Sequence, residues 1–464
     1  MRCFESVFVL ACAGGVVLAG PTTESMKVIP QDLAANDEFG TSISASNGIA
    51  LIGSRLDDEP GLNNGSAYLF TISTGAQIMK LSAPDNPSGS SFGVSVSLDM
   101  DADPPLALVG MDRDRENGID SGSAYLFNAQ TGAFITKFLD GDGQGGDLYG
   151  NSVCVYGGHV LIGALSNDAN GSGAGLAFLY DASTSSFLGV LEPEVPGANT
   201  LFGCSVALSD TVALIGARRE QSNGNSSGAA YLFDLSTGGQ LSNFAPPDNN
   251  TGDQFGYSVA VSGNIAAISA IATGDLGAAS GSVYVYNISN PSVPVMVQKL
   301  LAPDGDGGDE LGRDVDIEAT DSGYRVVSGA WRAEPYGDDS GAAYVFDLDS
   351  MGQLVSSTVL HPSDPSINMN FGTSVAVDDS GTVLVGAPDD DADFSNGGSA
   401  YIFESLSAPC PADLNGDGAL NFFDVSAFLT AYQAQSPAAD FNNDGVYNFF
   451  DVSAFLTAFS AGCP

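Results

Sequence analysis

Seven copies of one short pattern, spaced 53 to 60 residues apart, constrain this chain more than any other feature. Each copy opens with an aromatic residue or Leu followed by Gly, then a variable residue, Ser or Asp, and Ile or Val. The copies start at Phe39, Phe92, Tyr149, Phe202, Phe255, Leu311 and Phe371. About a dozen residues later comes an apolar segment ending near Gly-Ala, and a third segment of the type Ser66-Ala67-Tyr68-Leu69-Phe70 closes the unit. Almost no helical pattern precedes residue 420, so this period specifies a repeat architecture.

Within one unit, four short apolar stretches alternate with clusters of Gly, Asn, Asp, Ser and Pro, as in Gly228 to Phe233, Gln240 to Ala245, Phe255 to Val261 and Ile265 to Ala270. Four strands in about 50 residues make the blade of a β-propeller, so the expected fold is all-β and seven-bladed. Minimal connectors such as Ser46-Asn47-Gly48 and Gly263-Asn264 suit tight hairpins, because these residues tolerate positive φ. Outer strands number only six, and the seventh unit runs from Phe403 into Cys410 without one. Met26 to Asp32 precedes the first Phe-Gly as Ile78 to Asp85 precedes the second, so this N-terminal segment is expected to close the ring and remove the open edge.

Strand direction sorts the connectors onto two faces. The long ones, between strands two and three and between blades, carry Asp57-Asp58-Glu59, Asp338-Asp339, Asp389 to Asp391, Asp140, Asp248 and Asp304, which gathers acid on one rim. Across the chain, 56 Asp and Glu face 13 Lys and Arg, a net charge of −43 that argues against nucleic acid and anionic membranes as partners. Two readings of that charge stay open, a solubilising acidic coat and a calcium-occupied surface.

Arg2, the apolar run Val7 to Leu18 and Val17-Leu18-Ala19 read as a Sec-type signal peptide (1–19) cut after Ala19. The run is too short to span a bilayer, so a secreted or cell-surface protein without a transmembrane segment is expected. Val9-Leu10-Ala11-Cys12 has a faint lipoprotein-box character but sits early. Cys410 and Cys463, each followed by Pro, bracket the C-terminal module (410–464) and suggest a disulfide across its ends. Cys154 and Cys204, on inner strands of adjacent blades, are either a bridge between blades or two unbridged buried thiols.

The sharpest chemistry lies in that module. Asp413, Asn415, Asp417, Ala419, Asn421 and Asp424 fall at positions 1, 3, 5, 7, 9 and 12 of an EF-hand loop, and Asp440, Asn442, Asp444, Val446, Asn448 and Asp451 repeat them 27 residues on. Side-chain oxygens, with the carbonyls of Ala419 and Val446, suit Ca2+, and Gly418 and Gly445 permit the turn. Position 12 is Asp rather than Glu, no entering helix is expected, and the same helix, Val425 to Ala431 and Val452 to Ala458, follows each loop. In these respects the module, with Cys410-Pro411 and Cys463-Pro464 at its ends, resembles GC-type dockerin domains. The resemblance implies about two calcium ions and a cohesin-like docking or anchoring partner. Recognition in that family commonly uses loop positions 10 and 11, here Phe422-Phe423 and Phe449-Phe450; buried core aromatics are the other reading of these residues.

Phe-Gly-x-Ser-Val and Leu384-Val385-Gly386-Ala387-Pro388 resemble the FG-GAP repeat of integrin α-chain propellers, over residues 26 to 405 within a propeller domain of 20–405. Integrin blades often hold a calcium loop between their first two strands; only blade two approaches it, with Asp99, Asp101 and Asp103, and Ala107 stands where the last Asp belongs. The recurring Tyr68, Tyr125, Tyr231, Tyr284, Tyr344 and Tyr401 lie inside the third strands and are expected to pack between blades rather than stack on sugar.

Histidine occurs only at His159 and His361, Trp331 is the single Trp, and no nucleophile or phosphate-loop motif is present. The expected function is therefore a non-catalytic binding or adhesion propeller that meets a protein or polysaccharide on its acidic face, with the tail as anchor. A polysaccharide hydrolase or lyase and a structural envelope component are the alternatives. Facing carboxylates at the mouth of the central cavity would favour the enzyme.

Overall fold

The structure is a computed structural model that describes residues 17–461 apart from 23, 59–60, 86–88, 222–223, 247, 249, 392–393, 405–411, 413, 415–419, 435, 437–438, 440 and 442–445. Two compact units divide the chain, one of residues 20–406 and one containing 407–464.

The larger unit consists of seven antiparallel sheets, five of them each built from one repeat and two completed by N-terminal strands. Blade one runs Phe39–Ser46, Ile49–Ser54, Ser66–Thr71 and Ala76–Leu81 from the inside out. Blades two to five repeat that order. Blade six, Val315–Thr320, Gly323–Ala330, Ala342–Asp349 and Leu354–Leu360, has Val17–Thr22 as a fifth strand on its outer edge. Blade seven supplies only Ser374–Val377, Val383–Ala387 and Ser399–Phe403, and its outer strand is Met26–Val28, paired through Met26 to Ile402 and Val28 to Ala400. The expected closure is thus present, and Phe39 N–H donating to Gly397 O at 2.9 Å fastens the same joint nearer the axis.

Close backbone approach explains why the repeat needs its two glycines. A Cβ on Gly53, in the second strand of blade one, would sit 2.1 Å from the carbonyl of Gly93 at the start of blade two, and one on Gly386 would sit 2.1 Å from Gly40 O. The Gly-Ala of one blade therefore packs against the Phe-Gly of the next. At the blade five to six contact the rule breaks: Ser269 replaces the glycine and touches Gly312 instead.

Apolar clusters lie between adjacent blades. One joins Val28, Leu384 and Ile402 of blade seven to Phe39, Ile52, Tyr68 and Phe70 of blade one. The Phe-Gly aromatic meets the third-strand tyrosine edge to face, with centroids 5.7 Å apart for Phe39 and Tyr68 and 5.3 Å for Phe255 and Tyr284. The tyrosines are packing residues, as expected. Their rings are buried, which removes them as a sugar platform.

In the smaller unit, helices α1 (Phe422–Gln433) and α2 (Phe449–Ala461) stack Phe428 on Phe455 at 4.1 Å. Asn421 caps α1 by accepting from Phe423 N–H at 2.8 Å, while Asp424 accepts from Asn421 N–H at 2.9 Å, a reciprocal capping box. Asn448, Phe450 and Asp451 make the same bonds at α2. No helix among the described residues is long and apolar enough to cross a membrane.

Candidate functional site

The acidic rim is organised around lysines. Lys27, Lys80, Lys137 and Lys299 stand on outer strands directly opposite Tyr401, Tyr68, Tyr125 and Tyr284. Each ammonium lies 4.8–5.3 Å from its tyrosine ring and bridges carboxylates from the two long connectors of its blade. Lys80 is 2.6 Å from Asp32 and 2.7 Å from Asp57, and Lys299 is 2.7 Å from both Asp248 and Asp275. The tyrosine hydroxyls complete the cages, as Tyr68 does by donating to Asp57 at 2.7 Å. Asp85, Asp114 and Glu116 converge closely enough for a metal, but Lys137 already sits 2.6–2.7 Å from each. In four blades, then, acidic connectors are partly neutralised by an ammonium group of the chain itself.

A polar channel of about 850 Å³ runs along the inner strands. Its two mouths differ. At the end where the long connectors emerge stand residues that follow the Gly-Ala or Phe-Gly pair of their repeat: Arg55, Arg218, Tyr257, Arg313 and Trp331. Three blades join them in a ladder. Arg218 lies over Tyr257 at 4.9 Å, Arg313 over Tyr257 at 5.5 Å and over Trp331 at 5.0 Å, and Arg332 over Trp331 at 4.6 Å. The Tyr257 hydroxyl also accepts from Arg313. Arg55 pairs with Glu38, and Glu310 accepts from Trp331 Nε1 at 2.9 Å and from Arg332 at 3.2 Å. Burial lowers the Arg313 pKa; Asp314 opposes this, and the like charges of Arg218, Arg55 and Arg332 add to the depression. Beside the mouth, burial pushes the Asp112 carboxyl up to about 6 despite Arg113 and Arg55.

At the hairpin end the lining is acidic, with Asp101, Asp210, Glu318 and Asp379. Asn47 ties two of these together, donating from its side chain to Asp101 at 2.7 Å and from its backbone to Asp379 at 2.6 Å. Asp99 accepts from the N–H groups of Asp101 and Ala102 at 3.1 and 3.0 Å, a local turn, and Asp103 is exposed. Asp101 points to Asn47, so the three aspartates are not gathered around one point; none joins a converging carboxylate group among the described residues. Between the mouths, Asp314 and Asp316 replace the serines and small residues of other inner strands and accept from Val375 and Val377 N–H at 3.0 and 2.9 Å. Burial lifts Asp316 to about 7. Cys154 and Cys204 are free thiols on this wall, so of the two readings the unbridged one holds, with partial rather than full burial.

In the C-terminal unit, Asp413, Asn415, Asp417, Ala419, Asp440, Asn442, Asp444, Cys410 and Cys463 lie outside the described residues. Asn421, Asp424, Asn448 and Asp451 form the capping boxes, and Asp424 and Asp451 are fully buried. The pairs Phe422-Phe423 and Phe449-Phe450 are 76, 67, 75 and 68 % exposed, which corrects the reading of buried core aromatics.

Comparison with protein families matches the FG-GAP repeat seven times, at residues 22–70, 76–127, 133–180, 190–233, 239–286, 295–346 and 355–403. No curated protein matches the chain.

Proposed function

The chain belongs to the FG-GAP repeat family, a propeller scaffold of the binding and adhesion type, and from that premise we propose that it is an exported, non-catalytic binding protein docked through its C-terminal module. The observation that carries the reading is the long-connector mouth, where arginines and aromatic rings gather instead of facing carboxylates. Hydrolysis of a glycosidic bond needs an acid and a base flanking it. Glu38 is tied to Arg55, and Asp389 accepts from Asn370, which leaves Asp112 without a free partner carboxylate at this mouth among the described residues.

For the tail, we read the two duplicated loops as calcium sites of a dockerin-like module. Asp413, Asn415, Asp417, Asn421 and Asp424 would hold one ion with the Ala419 carbonyl, and Asp440, Asn442, Asp444, Asn448 and Asp451 the other with that of Val446. Asp424 and Asp451, fully buried in the first turn of their helices, stand at position 12 of the two loops, where such a site takes a carboxylate ligand. Bound calcium would tie each loop to the start of its helix and so fix the exposed phenylalanine pairs that a cohesin-like partner would cover. Export through residues 1–19 and a disulfide between Cys410 and Cys463 belong to the same reading, since such a bridge persists outside the cytosol.

Calorimetric calcium titration of the chain lacking residues 1–19 tests it. About two ions should bind, and the Asp417→Ala/Asp444→Ala double variant should bind none in that range while its propeller melts unchanged. A chain that binds no calcium, or equal uptake by both proteins, removes the anchoring role.

A further inference from the structure

We propose that the long-connector mouth of the channel binds an isolated carboxylate presented by a loop of a protein partner, held between the guanidinium groups of Arg218 and Arg313. The proposal deepens the binding-propeller reading and rests on it.

Positive charge is scarce in this chain: seven of the twelve lysines and arginines that the structure describes form ion pairs, and of the other five Arg113, Arg115 and Arg219 are exposed to water. The four lysines are caged, Arg325 pairs with Asp347, Arg55 with Glu38 and Arg332 with Glu310. Arg218 and Arg313 differ: among the described residues neither forms an ion pair with a carboxylate, and the Nε atom of each is buried without a hydrogen-bond partner. A buried guanidinium N–H without an acceptor destabilises the unliganded state, and an incoming acceptor would relieve that cost. Burial lowers the Arg313 pKa, and although Asp314 opposes this, the like charges of Arg218, Arg55 and Arg332 add to the depression.

Geometry holds these two groups ready. Both guanidinium carbons lie within 5.5 Å of the Tyr257 centroid, and Trp331 and Arg332 continue the stack. A planar fork fixed on an aromatic ring loses little freedom when a carboxylate binds it, and its paired N–H groups match the two oxygens. The surrounding chemistry also selects the carrier. Tyr257 and Trp331 each already have two guanidinium groups within 5.5 Å, which leaves little ring face for a pyranose. A polyuronate would in addition carry one negative charge per sugar past the aspartates of a chain with net charge −43. One carboxylate on an otherwise uncharged loop meets that repulsion once.

Trp331 is the only tryptophan, so its fluorescence reports on the site in the unmodified protein. The chain lacking residues 1–19 is titrated at constant ionic strength with three probes: acetyl-Gly-Glu-Gly-amide, the matching Gln peptide and tetragalacturonate. The Glu peptide should give a saturable change, the Gln peptide none, and tetragalacturonate a weaker response. Arg218→Gln should weaken the Glu peptide by about tenfold, as expected for losing one charge-assisted pair. Arg218→Lys, which keeps the charge but not the fork, should weaken it less, and Arg219→Gln, at an exposed neighbouring position, should change nothing. Near-ultraviolet circular dichroism establishes that each variant is folded. No saturable response to the Glu peptide, an equal response to the Gln peptide, or unaltered binding by folded Arg218→Gln overturns the proposal. Tighter binding of tetragalacturonate overturns it too and gives the mouth to an acidic polysaccharide. Such failures would leave the calcium sites and the tail's docking role standing, because those are read from a separate titration.

Discussion

Lys27 Nζ lies 2.7 Å from Asp390, so the strand that closes the ring, Met26–Val28, is held by charge to a long connector of the last blade. Asp364 lies at the same distance, and Tyr401 donates to both carboxylates. Burial alone would lower the Lys27 pKa, but the bonds to Asp364 and Asp390 outweigh it and raise the value. A raised lysine stabilises the fold below its unfolded pKa, about 10.4, and loses that contribution as pH climbs through the folded value. Lys27→Met should therefore cost about 1–3 kcal/mol at pH 7, with the gap narrowing at strongly alkaline pH. Chemical denaturation of both proteins at several pH values decides it, and identical midpoints at pH 7 would show that the cage is not stabilising.

The glycine pairing makes a sharper contrast. Gly386→Ala would push a methyl to 2.1 Å from Gly40 O at the closing interface, where backbone faces backbone and neither side can move freely. We expect a loss of about 3 kcal/mol or more, at the upper end for overpacking. Gly48→Ala, in the blade one hairpin at φ +74°, meets nothing within 4 Å and should cost only the left-handed strain, about 1 kcal/mol. Comparable melting temperatures for the two variants would mean that the interface is looser than it looks.

These contrasts mark what the residue order discloses. Phe-Gly and Gly-Ala recur because every blade interface repeats one backbone contact, so period, blade number and N-terminal closure could all be read from spacing. The arginine mouth could not be read that way, since Arg55, Arg218 and Trp331 are scattered over 276 residues (331 − 55) and vanish in a composition dominated by acid. Superposing the repeats would have found them: all three follow the Gly-Ala pair or its Gly-Ser variant, the position Asp112 also fills in blade two. Lys27, Lys80, Lys137 and Lys299 carry the same kind of signal opposite a third-strand tyrosine, and four lysines pass unnoticed among 56 acidic residues.

Asp316 predicts a pH effect of the opposite sign to Lys27. Burial lifts its folded pKa to about 7, above the unfolded value near 4, so the native state holds an extra proton between those limits. Stability from this group falls as pH rises through the interval and is lowest above 7. Asp316→Asn keeps an acceptor for Val377 N–H but cannot ionise. Its stability relative to the unaltered chain should improve by about 1–3 kcal/mol from pH 5 to pH 8. A difference that stays flat across that range would place the carboxylate in a wetter setting than its burial implies.

The exposed phenylalanines separate docking from stability. Phe422 and Phe449 begin α1 and α2, and neither is counted among the buried residues that Phe428 and Phe455 provide, so their rings contribute little to the core. Phe422→Ser and Phe449→Ser should each shift the unfolding free energy by no more than about 0.5 kcal/mol, the usual range for surface changes. Four large apolar side chains held in water at two equivalent helix starts make sense if another surface covers them. The double variant should therefore bind about two calcium ions as before, yet lose retention on cell-envelope material that holds the unaltered chain in calcium and releases it in chelator. Retention unchanged by both substitutions would remove these rings from the docking surface, and a large loss of stability would return them to the core.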